Sequence, residues 1–246
     1  MSDHRLAAEL AAGAGRLLLS VREELADAPE AERKAAGDKR SHEFLTAELG
    51  RLRPGDAVLS EEGADDPARL GVSRVWIVDP LDGTREFGEP GRDDWAVHVA
   101  LWADGELVAG AVALPAQGLT LATPDVPAPP PAPPRPRVVV SRSRPPALAV
   151  GVCAALDGTL VEMGSAGAKV AAVVTGRADV YVHAGGQYEW DSAAPVAVAR
   201  AAGLHTSRID GSPLRYNNAE PRLPDLVVCR PELADAVLAA IAAQPR

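Results

Sequence analysis

Residues 74–84 read Arg-Val-Trp-Ile-Val-Asp-Pro-Leu-Asp-Gly-Thr, and the rest of the chain is best read outward from them. Arg74 to Val78 is a short apolar run of strand type that leads straight into Asp79. Pro80 steers Asp79 away from helical geometry and fixes one of its own dihedrals, while Gly83 tolerates an unusual one. A turn this stiff can hold the Asp79 and Asp82 carboxylates convergent and aim the Leu81 carbonyl in the same direction. Those are hard oxygen ligands, the kind magnesium prefers. If a short helix starts here, the free N–H groups of Gly83 and Thr84 face an incoming anion. Metal ligands beside an anion nest describe a phosphate-ester site. Taken alone, Asp-Pro-x-Asp-Gly is also ordinary turn chemistry.

Two further acidic clusters end strand or loop segments: Ser60-Glu61-Glu62-Gly63, and Glu189-Trp190-Asp191-Ser192-Ala193-Ala194-Pro195. By itself Glu61-Glu62 reads as a solvated pair and Asp191 as the N-cap of a following helix. Three such clusters, each placed before a turn or helix, point to convergence on one site.

Around them the chain divides into two halves. Leu6 to Leu25 carries apolar residues on a helical period, and Arg40 to Leu52 reads as a second helix. Ala57 to Ser60 is a strand, and Asp94 to Leu114 a hairpin turning at Ala103-Asp104-Gly105. Residues 127–136, PAPPPAPPRP, contain seven prolines; such a segment is extended and solvated and serves as a surface connector. Beyond it, strands at 138–141, 159–163, 179–183 and 226–229 alternate with helices at 145–156, 166–175, 191–202 and 232–241. That alternation predicts a layered α/β arrangement with a largely parallel sheet. The expected organisation is an N-terminal α+β half over 1–126 carrying the metal and phosphate motifs, the connector, and a C-terminal α/β half over 137–246.

Composition narrows the function classes. Against 25 basic residues stand 34 acidic ones, a net charge of −9, which excludes a general nucleic-acid-coating role. Cys153 and Cys229 lie far apart without a CxxC, so disulfide scaffolds and cysteine-rich zinc sites are out and two buried thiols are expected. Asp3 and Glu9 argue against a signal peptide, and no apolar run approaches the roughly 20 residues that span a bilayer. A cytoplasmic protein without membrane attachment is the expectation. Gly13-Ala14-Gly15 lies within an apolar helix, not after a strand, and Gly164-Ser165-Ala166-Gly167-Ala168-Lys169 lacks the ending of a triphosphate-binding loop.

In order along the chain, SEEG, WIVDPLDGT and WDSAAP resemble the inositol monophosphatase superfamily of magnesium-dependent, lithium-sensitive phosphatases. The basic residue and glutamate of DGTREF, with GSAGAK (164–169) and SPLRYN (212–217), look like its CysQ-type branch, the 3'(2'),5'-bisphosphate nucleotidases. The resemblance implies an αβαβα sandwich with the site at the junction of the halves. It also implies metal ligation by Glu61, Asp79, Asp82, Asp191 and the Leu81 carbonyl. Gly83 and Thr84 match the phosphate-binding turn. Asp38, placed before the second helix, matches the acid that works with Thr84 to orient the attacking water, although the segment before it lacks the usual Ser-Pro-Val-Thr lead-in. Glu61 joins Asp38 and Thr84 among the catalytic residues, with Glu62 behind it.

For substrate the resemblance implies 3'-phosphoadenosine 5'-phosphate, cleaved to AMP and phosphate. Inositol monophosphate or fructose 1,6-bisphosphate is the alternative, and a non-catalytic nucleotide or metal sensor the rival from another class. Substrate contacts are expected from Asp82, Gly83, Thr84, Arg85, Lys169, Tyr188 and Asp191, with His183 to Tyr188 forming a loop that could touch a base or sugar. His183 is not expected on magnesium, which avoids imidazole. Two or three Mg2+ ions are implied, since carboxylates about 4 Å apart repel by roughly 4 kcal/mol at an effective dielectric near 20. No phosphoenzyme is expected, because no serine, cysteine or histidine sits in a nucleophile motif. A homodimer is a further possibility that the superfamily suggests.

Overall fold

A computed structural model describes residues 1–244. Two helices open the chain, α1 (Asp3–Glu24) and α2 (Glu30–Leu52). The strands β1 (Ala57–Ser60) and β2 (Arg74–Asp82) follow, then the one-turn helix α3 (Thr84–Gly88) and β3 (Ala96–Ala103), β4 (Glu106–Leu114) and β5 (Leu119–Ala122). After the proline-rich stretch, which forms neither helix nor strand, come β6 (Arg137–Ser141), α4 (Ala147–Ala155), β7 (Thr159–Met163) and α5 (Ala166–Val174). The chain then runs through β8 (Val180–Tyr188), α6 (Glu189–Ala201), β9 (His205–Ser207), β10 (Arg222–Cys229) and α7 (Ala234–Ala242).

The strands make two five-stranded sheets, ordered β1-β2-β3-β4-β5 and β7-β6-β8-β10-β9. Side-chain alternation shows why they stack. In β2, Val75 and Ile77 enter one apolar cluster while Trp76 and Val78 enter another. In β10, Leu226 and Val228 face the first cluster and Val227 and Cys229 a third. Each sheet is thus buried on both faces, which is what a near-continuous apolar strand requires. Helices α5 and α6 pack between the sheets, α1 and α2 cover the outer face of the first, and α4 and α7 the outer face of the second. The five layers run αβαβα. The Trp76 indole N–H is satisfied inside by Asp56 at 2.8 Å.

Several sequence expectations need correction. The second sheet is mixed, not largely parallel: β6 pairs parallel with β7 and β8, but β8–β10 and β10–β9 are antiparallel. The chain returns after α6 through short β9 and an irregular segment, not a helical crossover, so β10 enters from the opposite end. The second helix begins at Glu30, not Arg40, and Asp38 lies inside it. Its buried stripe there is Arg33, Gly37 and Ser41, so no apolar period marks the face. Gly37 serves a close approach: a Cβ on it would sit 2.7 Å from the Phe87 ring. Strand β2 runs on through Asp79-Pro80-Leu81-Asp82 with an irregular register between the two aspartates. Strand β8 absorbs residues 183–188, read above as a loop, and β5 and β9 were not anticipated. Cys153 and Cys229 are free and buried, as expected.

Candidate active site

The last residues of β2, the start of α6 and the start of α5 converge in one place. Asp79 and Asp82 leave the end of β2, and Asp191 occupies the third position of α6. Ligand oxygens of these three lie within 4.8 Å of one another, although the residues come from opposite halves of the chain. The Asp79 carboxylate accepts from the Leu81 N–H at 3.0 Å, so the turn that proline stiffens also holds its own acid. Its second oxygen, Oδ2, is buried without a hydrogen-bonding partner.

Each carboxylate is held differently. Asp82 accepts from the Ser165 hydroxyl and from the N–H groups of Ala166 (3.1 Å) and Gly167 (2.6 Å) in the first turn of α5. The His98 imidazole lies 3.2 Å away. Burial alone would raise its pKa, but His98, Ser165 and Lys169 outweigh burial and hold it well below the usual carboxylate range. Asp79 is pushed well above that range by burial and by the charges of Glu61, Asp82 and Asp191. Asp191 rises to about 6, through burial and Asp82, despite accepting the Tyr188 N–H at 2.6 Å at the start of α6. Glu61 faces Asp79 from the end of β1 and is raised to about 7, by burial first and then by Asp191. Two like charges 4.8 Å apart repel by about 3 kcal/mol at an effective dielectric of 20. An all-oxygen donor set with an orphaned buried oxygen and this degree of repulsion fits a divalent cation of the hard class.

Next to the acids sits a hydroxyl–carboxyl pair. The Thr84 hydroxyl is 3.2 Å from Asp38 Oδ1 and 3.1 Å from the Leu81 carbonyl, so its single proton goes to one of the two. Asp38 is raised to about 6 by burial and by nearby Glu62. Gly83 makes this corner feasible: its φ is +85°, and a Cβ there would meet Ser165 at 3.0 Å and the Asp94 carbonyl at 3.3 Å. Ser41 on α2 donates to the Pro80 carbonyl at 2.6 Å, tying the helix that carries Asp38 to the acidic turn.

A cavity of about 400 Å³ opens over the acids, lined by Asp82, Ser165, Asp191, His183, Gln187, Tyr188 and Arg222, among others. The Tyr188 ring stacks on Trp190, with centroids 4.7 Å apart and planes 4° from parallel. Four expected substrate residues, Gly83, Thr84, Arg85 and Lys169, are not among its lining residues. Arg85 is exposed on α3, close enough to Glu30 for its charge to act there. Lys169 is buried, donates hydrogen bonds to the Gly164 (3.1 Å) and Ser165 (2.7 Å) carbonyls, lies over the Tyr181 ring and borders a smaller neighbouring cavity. Glu86 of DGTREF is also buried and pairs with Arg142 at 2.9 Å, joining the halves at a distance from the acids.

Sequence reading passed over three residues. His98, fully buried in β3, holds the Trp190 carbonyl at 3.0 Å while its other nitrogen faces Asp82, so it contacts both acid-bearing segments. A polar residue inside the apolar run Ala96 to Leu101 was the available signal. Glu189, also fully buried, receives the N–H groups of Asn217 (2.7 Å) and Asn218 (2.8 Å) and pins the 212–218 segment beneath α6. Ser165, at the N-cap of α5, gave the signal of a serine opening a helix.

The fold and the acidic centre define a known class. The inositol monophosphatase family model matches residues 3–125 and 139–245, and the chain belongs to that family. Its members are metal-dependent, in keeping with the cluster of three aspartates. Within the family, the chain is 53% identical over 238 residues to a 3'-phosphoadenosine 5'-phosphate phosphatase of Mycobacterium bovis, covering 93% of this chain and 89% of that one. It is 32% identical over 199 residues to the 3'(2'),5'-bisphosphate nucleotidase CysQ of Escherichia coli K12, covering 75% and 80%. Among solved structures, CysQ from Bacteroides thetaiotaomicron superposes with a TM-score of 0.76 at 29% identity, covering 93% and 97%. Among the described residues, no helix is long and apolar enough to cross a membrane.

Proposed function

We propose that this protein is a magnesium-dependent phosphatase that removes the 3'-phosphate of 3'-phosphoadenosine 5'-phosphate, leaving AMP and phosphate. The carrying observation is the meeting of Asp79, Asp82 and Asp191, two of which line the cavity, with the Thr84–Asp38 pair on the same turn. The substrate assignment is supported by the names of the relatives that share about half of its residues.

Asp79, Asp82, Asp191, Glu61 and the Leu81 carbonyl would hold two or three Mg2+ ions. When bound, they supply Lewis-acid polarisation of the phosphoryl oxygens and cancel the carboxylate charge that would otherwise repel an anionic ester. The chain's own part is orientation. With its proton given to Asp38, the Thr84 oxygen accepts a hydrogen bond from a water and aims it at phosphorus in line with the departing ribose oxygen. Asp38, poised near pH 6, is the proton acceptor behind the threonine. The first-turn N–H groups of α3 face the phosphoryl oxygens. Tyr188, exposed at the cavity wall and backed by Trp190, offers an aromatic face to the base.

A phosphate-release panel comparing 3'-phosphoadenosine 5'-phosphate, inositol 1-phosphate and fructose 1,6-bisphosphate in magnesium tests the reading. The bisphosphate nucleotide is expected to give the highest kcat/KM; a higher value for either sugar phosphate overturns the substrate assignment, and no release from any overturns the activity.

A further inference from the structure

Glu61 stands at the head of an irregular segment that no apolar side chain ties down. Of the described residues 61–74, Arg69 alone is buried, at 2% exposure, while Leu70 and Val72 point into solvent. An arginine is buried only where its donors are spent, and here four of its five N–H groups are. Nε and Nη2 grip the two oxygens of Asp65, at 2.6 and 2.9 Å, on the same segment. Nη1 donates to Asn217 Oδ1 at 2.7 Å and Nη2 to the Asn218 carbonyl at 2.9 Å, across the boundary between the halves.

Both asparagines are held from behind. Glu189 accepts the Asn217 N–H at 2.7 Å, the Asn218 N–H at 2.8 Å and the Asn218 side-chain amide at 2.7 Å. Asn217 has a left-handed φ of +61°, with its N–H on Glu189 and its side-chain oxygen on Arg69. Glu189 opens α6 two residues before Asp191. One run of hydrogen bonds, Asp65–Arg69–Asn217/Asn218–Glu189, therefore leads from the segment behind Glu61 to the helix that carries Asp191. At the near end, the Ser60 hydroxyl lies 2.9 Å from His42 Nδ1 of α2.

We infer that Arg69 is a positioning residue for the metal centre: it clamps the Glu61 segment to the post made by Asn217, Asn218 and Glu189, and so fixes Glu61 relative to Asp191 across the two halves. The inference rests on the reading of Glu61 as a metal-holding acid. Without the clamp, an exposed segment would have to be ordered each time the ion binds, and that entropy would be subtracted from its affinity. Contacts that orient metal ligands from outside are worth about 10- to 100-fold in affinity. Arginine suits the position because its planar fork reaches both banks at once, which the single ammonium of a lysine does not.

The test titrates Mg2+ alone into the full chain by calorimetry, well below the melting temperature, with melting temperatures recorded in parallel. Arg69→Met should raise the Mg2+ concentration for half-saturation by about 10- to 100-fold, and Arg69→Lys should recover part of the loss. Asn217→Gly keeps the left-handed backbone and the N–H to Glu189 but removes one acceptor of Arg69, and should weaken Mg2+ by about threefold in a folded protein. Because Arg69 acts through Glu61, adding Arg69→Met to Glu61→Gln should weaken Mg2+ by no more than about twofold beyond Glu61→Gln alone. Lower melting temperatures with unchanged Mg2+ affinity, or losses that multiply fully in the double variant, overturn the inference and leave Arg69 a stabilising residue only. Should Arg69→Met not fold, Arg69→Lys and Asn217→Gly decide by the same criterion. If Glu61→Gln itself leaves Mg2+ binding unchanged, the assignment of Glu61 fails and the inference falls with it; if Glu61→Gln weakens Mg2+ and the Arg69 and Asn217 variants do not, the inference alone fails.

Discussion

Replacing Asp79 by asparagine should make the metal-free protein more stable while removing its response to magnesium. Asp79 is 1% exposed, one oxygen has no partner, and Glu61, Asp82 and Asp191 all press negative charge on it. Asparagine keeps the acceptor for the Leu81 N–H and puts two donors where the orphaned oxygen sits, facing carboxylates. Like charges within 4.8 Å, as Asp79 has with Asp82 and Asp191, are worth about 3 kcal/mol each, but proton uptake already relieves part of that, so a net gain of about 2 kcal/mol is expected. For a chain of this size each kcal/mol moves the melting temperature by about 2–4 °C, which predicts a rise of about 4–8 °C in EDTA at pH 8. Magnesium at a hundred times its dissociation constant adds about 2.7 kcal/mol to the wild type, or about 5–10 °C, and little to the variant.

The pH dependence sharpens this experiment. Glu61 and Asp191, raised to about 7 and about 6, bind protons more tightly folded than unfolded. The stability they contribute is complete below the unfolded carboxylate range near pH 4 and is lost as pH rises through 6 to 7. The gap between Asp79→Asn and wild type should therefore open between pH 5 and 8 in EDTA and narrow at pH 5, where Glu61 and Asp191 are largely protonated and Asp79, raised itself, takes up a proton beside the still-ionised Asp82. Differential scanning calorimetry of both proteins in EDTA and in magnesium, at the two pH values, reads all of this. A variant less stable than wild type in EDTA at pH 8, or one that keeps the full magnesium shift, refutes the reasoning.

Further outcomes follow from the same geometry. Thr84→Ala should lower kcat by about 10²-fold with KM within about threefold, because the hydroxyl aligns water and does not grip substrate; steady-state kinetics showing a KM defect alone would contradict the role. Glu189→Gln should cost about 2–4 kcal/mol by urea denaturation, since one amide oxygen cannot replace a carboxylate that receives Asn217 and Asn218. A midpoint unchanged from wild type would show that the 212–218 segment is held by something else. Gly83→Ala should reduce both stability, by about 2 kcal/mol or more, and activity, given its positive φ and the 3.0 Å approach of Ser165. A urea midpoint and a rate both unchanged from wild type would show that the turn tolerates the added methyl.

Much of the molecule could be read from local chemistry. The helix from Leu6 and the strands around Trp76 and Val138 declare themselves because they bury apolar side chains on a regular period. The acidic turn declares itself because proline and glycine flank its carboxylates. What escaped is what depends on partners distant in the chain. The first turns of α2 were hidden because their buried face is Arg33, Gly37 and Ser41, packed against Phe87, Leu81 and Pro80. The direction of β10 was hidden because strand composition carries no sign of parallel or antiparallel pairing.

The chain alone determined the layered fold, the identity of the acidic residues and the stiffness of the turn that carries two of them, because period and dihedral preference are properties of neighbouring residues. Only the tertiary structure decided that Asp191 joins Asp79 and Asp82, that His98 and the start of α5 brace Asp82, that Lys169 turns away and that Arg222 faces the cavity. Those outcomes depend on distance and burial between segments far apart in sequence, and Coulomb energies, hydrogen bonds and proton affinities all take their size from those two quantities.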